Sequence, residues 1–280
     1  MRRIHHFTGR PVEPPSLEYT LSIYHEMDGY SFCVHDEKGE LETFAHESFE
    51  EDAPGMWLAC LQKAIAAEPL LARVYKRVVV TSCCREKMLL PDRFFKEEHL
   101  SLLWSFYRET GSSGRFLHHR VGEWGACVVS PLPSRVEQLF RELQPATFFL
   151  PDGASLVRLA LWACTDDRDY LLADIHGDYF DLLLVHDRRL LLFNTFYYET
   201  GDDILYFMLN ASRGCHLDEQ RSRLILTGRV SPRGELHGSL SRYWPSPLLV
   251  TEPALNTLAR DPAFNTSPFV HLLNLHTCES

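Results

Sequence analysis

Residues 169–211 of this 280-residue chain read DYLLADIHGDYFDLLLVHDRRLLLFNTFYYETGDDILYFMLNA. Three apolar runs, at 170–175, 180–185 and 190–197, are separated by short polar breaks. Two of the runs are almost continuous leucine, which is typical of strands buried on both faces. After a break at 200–203, apolar residues recur at helical spacing, with two acids where the helix dipole favours them. The stretch predicts the order strand, strand, strand, helix.

A tight turn is expected at residues 174–178, where a backbone could cradle phosphate. The segment around it reads D-I-H-G-D-Y-F-D at 174–181, and later segments read G-D-D-I at 201–204 and L-I-L-T-G-R at 224–229. In this order and spacing they resemble the second-domain nucleotide site of the actin-like ATPases, whose loop reads roughly D-I-G-G-G-T-T-D. The superfamily includes bacterial cell-division and pilus-assembly proteins. Most of the chain is also similar to an uncharacterised bacterial family with this fold.

The resemblance implies a set of nucleotide-binding positions. In the resembled family, the first aspartate of the loop holds Mg²⁺ through water, and glycines allow backbone N–H groups to reach phosphate. Here the implied cofactor-binding residues are Asp174, Gly177, Asp181, Gly201, Asp202 and Gly228.

The loop departs from the family pattern at several positions. His176 and Asp178 replace glycines, so their side chains would occupy the phosphate path, and the Asp178 carboxylate would repel phosphate. Tyr179 and Phe180 replace two hydroxyl residues, and Arg229 stands in place of the second adenosine-contacting glycine. These substitutions predict weak or absent binding of ATP–Mg²⁺.

The early part of the chain repeats the same order of elements. Strands are predicted at 17–24, 30–35 and 41–46, then a helix opened by Pro54, then a strand at 77–82. The span from the first strand to the last is 58 positions here and 54 in the later copy, measured between strand centres. This pattern indicates an internal duplication. We therefore predict an α/β architecture, the actin-like ATPase (ribonuclease H-like) fold, with two duplicated βββαβ domains related by a pseudo-twofold.

The boundaries follow from this repeat. Residues 1–165 are predicted to form the first domain, including an inserted subdomain at about 88–145, and residues 166–280 the second domain and a C-terminal tail. The polar, proline-containing residues 1–15 predict a loose arm. The apolar end at 269–275 is expected to dock on the rest of the protein.

The composition restricts the classes of partner. The chain has 28 basic and 38 acidic residues, a net charge of −10, which disfavours nucleic acid because phosphate contacts require clustered Lys and Arg. No stretch approaches the ~20 apolar residues of a membrane span, and no targeting segment is visible. The eight cysteines are scattered, as expected for buried thiols in a cytoplasmic protein.

A metal site and a first-domain phosphate loop have little support in the sequence. The adjacent pairs His118-His119 and Cys83-Cys84 point to opposite faces of a strand, and no four-ligand metal spacing is seen. Asp28-Gly29 lacks the first-domain D-x-G pattern and favours an ordinary hairpin turn.

The sequence therefore predicts a degenerate, non-catalytic member that acts as a binding or scaffold protein. We expect it to bind an unknown protein partner, to need no cofactor, and to be a monomer or small oligomer. The alternative is a weak ATP-binding protein or ATPase that uses ATP and Mg²⁺ in the interdomain cleft. A third interpretation is a sugar-kinase-like phosphotransferase, for which no catalytic base can be singled out.

Overall fold

The computed structural model describes residues 2–9, 16–26, 28–49, 57–107 and 114–278. The strands are β1 (Arg2–Thr8), β2 (Ser16–Glu26), β3 (Gly29–His35), β4 (Leu41–Ser48), β5 (Tyr75–Ser82), β6 (Met88–Pro91), β7 (Gly114–Val121), β8 (Ala126–Pro133), β9 (Phe148–Leu150), β10 (Tyr170–Ile175), β11 (Tyr179–His186), β12 (Arg189–Tyr197), β13 (Arg223–Gly228) and β14 (Leu248–Leu249). The helices are α1 (Trp57–Ala67), α2 (Leu100–Tyr107), α3 (Ser134–Leu143), α4 (Ala154–Ala163), α5 (Gly201–Gly214), α6 (Glu235–Leu240), α7 (Pro253–Ala259) and α8 (Val270–Asn274). Short 3-10 helices connect several of them.

The first sheet has the strand order β1-β4-β3-β2-β5-β9. Strands β2, β3 and β4 pair antiparallel, whereas β5 runs parallel to β2 and β9 runs parallel to β5. The crossover from β4 to β5 contains α1, which buries Leu61, Ala64 and Ile65 in the core of this sheet. Pro54, the expected start of this helix, lies outside the described residues.

The second sheet has the strand order β12-β11-β10-β13-β14 and repeats this arrangement. Strands β10, β11 and β12 are antiparallel neighbours, and β13 and β14 are parallel additions after the crossover helix α5. The predicted βββαβ order of both units is confirmed. The superposition of the two units and the boundary at 165/166 stay predictions.

The leucine-rich strands of the second sheet are covered on both faces. Leu171 lies in the cluster that contains Met208 of α5, and Leu172 lies in the cluster that contains Val157 of α4. Because successive residues of a strand point to opposite faces, two covering helices require apolar residues at every position. This explains why the run shows no polar alternation.

A three-stranded sheet of order β6-β8-β7 lies within the segment predicted as an insertion. Strands β7 and β8 form an antiparallel hairpin, with a 3-10 turn at Gly122–Trp124. Strand β6 pairs antiparallel with β8 over four residues. Its sequence, MLLP, is too short to show a strand period, so the pairing depends on β8.

The prediction of a loose N-terminal arm is wrong for residues 2–8. These residues form β1, which pairs antiparallel with β4 at the edge of the first sheet. The Phe7 ring stacks on Phe44 at 6.1 Å and meets the edge of Phe264 at 5.4 Å. Backbone pairing and these ring contacts hold a segment whose own sequence lacks strand periodicity. Pro11, Pro14 and Pro15 lie outside the described residues.

The C-terminal segment returns to the first sheet. Leu272 and Leu273 of α8 are buried in a cluster with Tyr24 of β2 and Cys33 of β3. The expectation that this apolar end docks is confirmed, and docking places His271 between the two halves of the chain. No helix among the described residues is long and apolar enough to cross a membrane, and α5, with 14 residues, falls short of the ~20 required.

Candidate functional site

The site lies where β10 and β13 end side by side. These parallel strands pair as far as Ile175 and Gly228, so the turns that follow them share one edge of the sheet. Ligands of open α/β sheets commonly bind at the carboxyl ends of parallel strands. Asp174 is the second-last residue of β10, and His176 begins the loop that leads to β11.

Two histidines contact the Asp174 carboxylate. The Nε2 atoms of His176 and His271 each lie 2.8 Å from Asp174 Oδ2. All three side chains are more than nine-tenths buried. His176 comes from the same loop, whereas His271 comes from α8, 97 residues further along the chain than Asp174.

The electrostatics of this cluster follow from burial and these contacts. Burial opposes ionisation of Asp174, but the charges of His271 and His176 outweigh it and hold the Asp174 pKa well below its usual value. Burial likewise opposes the charged form of His176. The negative charge of Asp174 has the larger effect and raises the His176 pKa to about 10. The carboxylate is therefore ionised at neutral pH.

Asp181 belongs to a second group of buried, paired charges. Lys87 Nζ contacts Asp181 Oδ2 and lies 2.7 Å from Asp152 Oδ2. Thr195 Oγ1 donates to Asp181 Oδ1 at 2.5 Å. Burial would lower the Lys87 pKa, but the two carboxylates outweigh it and raise it above its usual value. Asp181 thus has protein partners on both oxygens.

Gly228 is required by the backbone. It has φ of +85°, and a Cβ there would lie 2.2 Å from the Ile175 carbonyl oxygen and 2.7 Å from Asp174 Oδ1. Gly177 differs, because its Cβ would meet only the end of the Arg229 side chain, at 3.4 Å.

Replacing Gly228 with alanine is expected to lower the free energy of unfolding by at least about 2 kcal/mol. The strain of an alanine at positive φ adds to the clash of its Cβ with the backbone. Gly177→Ala is the matched control and is expected to change it by less than about 1 kcal/mol. Urea unfolding of both variants beside the wild type checks this. Equal effects of the two substitutions would contradict the proposed backbone role of Gly228.

Arg229 connects the two halves of the chain. Its guanidinium lies 3.0 Å from Asp28 Oδ2 and 3.7 Å from Glu26 Oε2. Asp28, expected to be an ordinary hairpin residue, thereby faces the turn after β13. Gly29 allows close strand approach, since a Cβ there would lie 2.5 Å from the Glu47 carbonyl oxygen.

The substituted loop residues occupy different places. His176 stacks on Tyr179 with ring centroids 4.2 Å apart, and the Tyr179 hydroxyl lies 2.7 Å from Cys83 Sγ. Asp178 points to the neighbouring surface, where it pairs with Arg85 at 2.8 Å. The sequence had suggested that Asp178 crowds the same path as His176. Its pairing with Arg85 instead directs the carboxylate away from Asp174.

Gly201 and Asp202 lie at the exposed start of α5, where Thr200 and Asp203 form a capping box. Neither residue is among those that line the cleft beside Asp174. Gly177 lines the adjoining surface groove with Asp178. A role for any of these residues in binding a ligand stays a prediction.

The cleft beside Asp174 has a volume of about 330 Å³. This is near the lower limit of the ~300–1,000 Å³ usual for ligand sites. Residues of both halves line it: Glu26, Asp28, Asp174, His176, Arg229 and His271 among others.

The sequence did not predict a role for three residues of the site: Lys87, Asp152 and His271. Asp152 lies just before α4, where an acid commonly caps a helix, and His271 lies near His276 and Cys278 without metal-ligand spacing. One signal in the sequence was available for Lys87. It directly precedes the apolar residues 88–90, and a charged side chain that is buried with such a run needs a partner.

A family model for proteins of unknown function matches residues 15–246. The chain belongs to the DUF3822 family. No curated protein matches it significantly.

Solved structures show the fold of this DUF3822 member. A protein from Bacteroides thetaiotaomicron, with an actin-like ATPase fold and unknown function, is 20% identical, with a TM-score of 0.81 over 97% of this chain and 100% of that one. The PilM–PilN type IV pilus biogenesis complex includes a chain 16% identical, with a TM-score of 0.58 over 95% and 100%. The ethanolamine utilization protein EutJ from Carboxydothermus hydrogenoformans is 11% identical, with a TM-score of 0.51 over 96% and 92%. The predicted actin-like ATPase fold is confirmed.

Proposed function

We propose that this protein is a non-catalytic, degenerate member of the actin-like ATPase fold that acts in the cytoplasm as a binding or scaffold protein. The observation that carries the proposal is the environment of Asp174. Two imidazole rings contact its carboxylate at 2.8 Å, so the side chain that would hold Mg²⁺ through water is enclosed by protein. Both rings engage Oδ2, so the water through which this carboxylate would hold Mg²⁺ would have to replace a histidine contact.

The neighbouring contacts support the same proposal. His176 occupies the loop position at which the family has glycine, and its stacking on Tyr179 holds the ring there. Arg229 ties the turn after β13 to Asp28 and Glu26 across the cleft. An adenosine and a phosphate chain would have to displace both side chains.

A protein partner fits the exposed surface of the inserted segment. Helix α2 buries Trp104, yet Leu102 and Phe106 on it are 59% and 83% exposed. A helix with apolar residues on its outer face is typical of an interaction surface. In the PilM–PilN complex, a protein with this fold is joined to another protein, which supports a partner here.

Thermal unfolding with ATP–Mg²⁺ tests the proposal. A ligand that binds the folded state at ~100 times its Kd adds about 2.7 kcal/mol and raises the Tm by several degrees. We expect millimolar ATP–Mg²⁺ to shift the wild-type Tm by less than about 1 °C after dialysis against EDTA. His176→Gly with Arg229→Gly, which clears the path, is expected to give a larger shift.

The outcomes separate the candidate functions. A clear wild-type shift that is lost in Asp174→Asn, with ATP hydrolysis above a blank, would replace this proposal with the weak ATPase. Transfer of phosphate from ATP to a small molecule would replace it with the phosphotransferase. Circular dichroism of the Asp174→Asn variant without ligand serves as the control for folding.

A further inference from the structure

A tryptophan on the last turn of α4 is exposed between two cavities. Trp162 is 75% exposed, and it lines one cavity of about 750 Å³ and another of about 690 Å³. Leu248, at the start of β14, lines the larger cavity and is 60% exposed. Large apolar side chains exposed beside a cavity are typical of a surface that binds another molecule. The larger cavity, the Trp162 groove, is therefore a candidate binding surface.

The Trp162 groove lies at the edge of the second sheet opposite the cleft beside Asp174. Tyr170 and Arg223 line the groove, and they are the paired first residues of β10 and β13. These parallel strands run from the groove to Ile175 and Gly228, which line the cleft. At ~3.3 Å per residue, the two ends of the strands are about 17 Å apart. The two cavities share no lining residue in the part of the chain that the structure describes.

The Trp162 groove is basic although the chain is acidic. Arg168, Arg221 and Arg223 line it, and no Asp or Glu is found among the described residues that line it. The whole chain carries 28 basic and 38 acidic residues. Three arginines without an acid at one cavity run against this composition, and they are complementary to a negatively charged ligand.

The arginine side chains can exchange their partners for those of a ligand. Arg168 contacts Asp166 at 3.3 Å, and Arg221 contacts Asp218 at 3.4 Å. All four of these side chains are at least 42% exposed, and exposed ion pairs contribute little to stability. Arg223 forms no ion pair with another described residue. A carboxylate that enters the groove therefore gains cationic partners without breaking a buried pair.

We propose that the Trp162 groove binds an acidic peptide segment of a partner protein, in which carboxylates flank an apolar side chain. Guanidinium groups bind carboxylates through paired N–H donors, which suits the three arginines. Trp162 and Leu248 provide the apolar contact, and tryptophan and arginine are the residues that most often dominate the affinity of an interface. Nucleic acid fits less well, because its phosphates would approach a chain with a net charge of −10.

This inference rests on the proposed binding role and gives that role a surface and a class of partner. The Trp162 groove is separate from the exposed Leu102 and Phe106 of α2. It also does not depend on whether the cleft beside Asp174 binds nucleotide, because the two cavities lie at opposite ends of β10 and β13.

Selection of a random peptide library displayed on phage, with the wild-type chain as target, tests the preference of the groove. We expect the selected peptides to be enriched in Asp and Glu beside Leu, Phe or Trp. The enrichment should disappear when the target carries Arg221→Glu with Arg223→Glu, because the attraction becomes repulsion. The affinity of the selected peptides should fall as the ionic strength rises.

Fluorescence polarisation with the most enriched peptide measures the contribution of each side chain. Trp162→Ala is expected to weaken binding by at least about 30-fold, as truncation of a central aromatic of an interface commonly does. Arg221→Glu with Arg223→Glu is expected to weaken it by at least about 100-fold. Arg93→Glu with Lys96→Glu is the matched control, because it changes the net charge equally at two exposed residues of the inserted segment. Its affinity should stay within about threefold of the wild type.

Three results would overturn the proposal: no selected peptide, selected peptides without acidic enrichment, or an equal loss of binding in the control. A labelled single-stranded oligonucleotide that the selected peptide displaces, and that the Arg221 and Arg223 variant does not bind, would replace it with a nucleic-acid site. Circular dichroism checks that the variants fold, and the selection on the wild type does not depend on them. Peptide binding is measured without nucleotide, so its failure is distinguishable from failure of the non-catalytic proposal, which ATP–Mg²⁺ tests.

Discussion

Replacing Lys87 with methionine is expected to destabilise the protein by about 3–5 kcal/mol, which corresponds to a decrease in Tm of about 6–20 °C. Lys87 Nζ is buried and pairs with Asp152 and Asp181, whose side chains are also buried. Methionine keeps the length of the side chain but removes the charge. It therefore leaves two carboxylates without their shared cation, and an unpaired buried charge is far more costly than a lost surface contact.

Lys76→Met is the matched control for this substitution. Lys76 also forms a 2.8 Å ion pair, with Glu37, but both side chains are more than half exposed. Exposed pairs contribute about 0–1 kcal/mol, so the control should lower the Tm by less than about 4 °C. Thermal unfolding of the two variants beside the wild type makes the comparison.

Removing the two carboxylate charges that Lys87→Met leaves unpaired should restore stability. The triple variant Lys87→Met, Asp152→Asn, Asp181→Asn is expected to recover at least about half of the loss, because neutral amides cost less to bury than carboxylates. If Lys87→Met and Lys76→Met have equal effects, Lys87 does not neutralise the two carboxylates in the folded state.

The free energy of unfolding is expected to fall by about 6 kcal/mol between pH 6.5 and pH 4.5. Burial lowers the pKa of His25 to about 4, and burial together with the neighbouring His276 lowers the pKa of His35 to about 3. Burial and the neighbouring His5 lower the pKa of His46 to about 4. The rings of His35 and His276 stack 3.9 Å apart. His25 and His35 are almost completely buried in the first sheet.

The sign follows from proton uptake. Below pH 6.5 the unfolded chain binds protons on these histidines while the folded protein keeps them neutral, so stability falls as the pH falls. Each histidine contributes about 1.4 kcal/mol per pH unit until its folded pKa is reached. His176, with a raised pKa of about 10, stays protonated in the folded protein over this range, so it adds little slope once the unfolded chain is also protonated, below about pH 6. The lowered pKa of Asp174 matters only at more acidic pH.

Urea unfolding at several pH values, with EDTA present, measures this slope. His35→Gln, which is neutral at every pH, is expected to reduce it by about a third. His99→Gln alters a half-exposed histidine and should leave the slope unchanged. A stability that stays constant between pH 6.5 and 4.5 would show that His25, His35 and His46 are protonated in the folded state.

The order of the strands could be derived from the sequence because it depends on local properties. Apolar runs of strand length, polar turns and helical spacing recur in both halves of the chain, and each can be recognised within about ten residues. The acids that frame the loop, Asp174 and Asp181, were singled out instead by the resemblance of residues 174–181 to the phosphate loop of the actin-like ATPases. Strand β1 was missed because its pairing with β4 and its contacts with Phe264 are long-range.

Only the tertiary structure decided how the buried charges are paired. Asp174 meets His271 from α8, and Asp181 meets Lys87 from a loop 94 positions earlier. Burial requires that each charge has a partner, but it does not limit where in the chain that partner lies. The sequence by itself thus determined two βββαβ units and the acids at the edge of the second sheet. Docking of α8 and of the segment after β5 determined whether those acids face nucleotide, histidine or lysine.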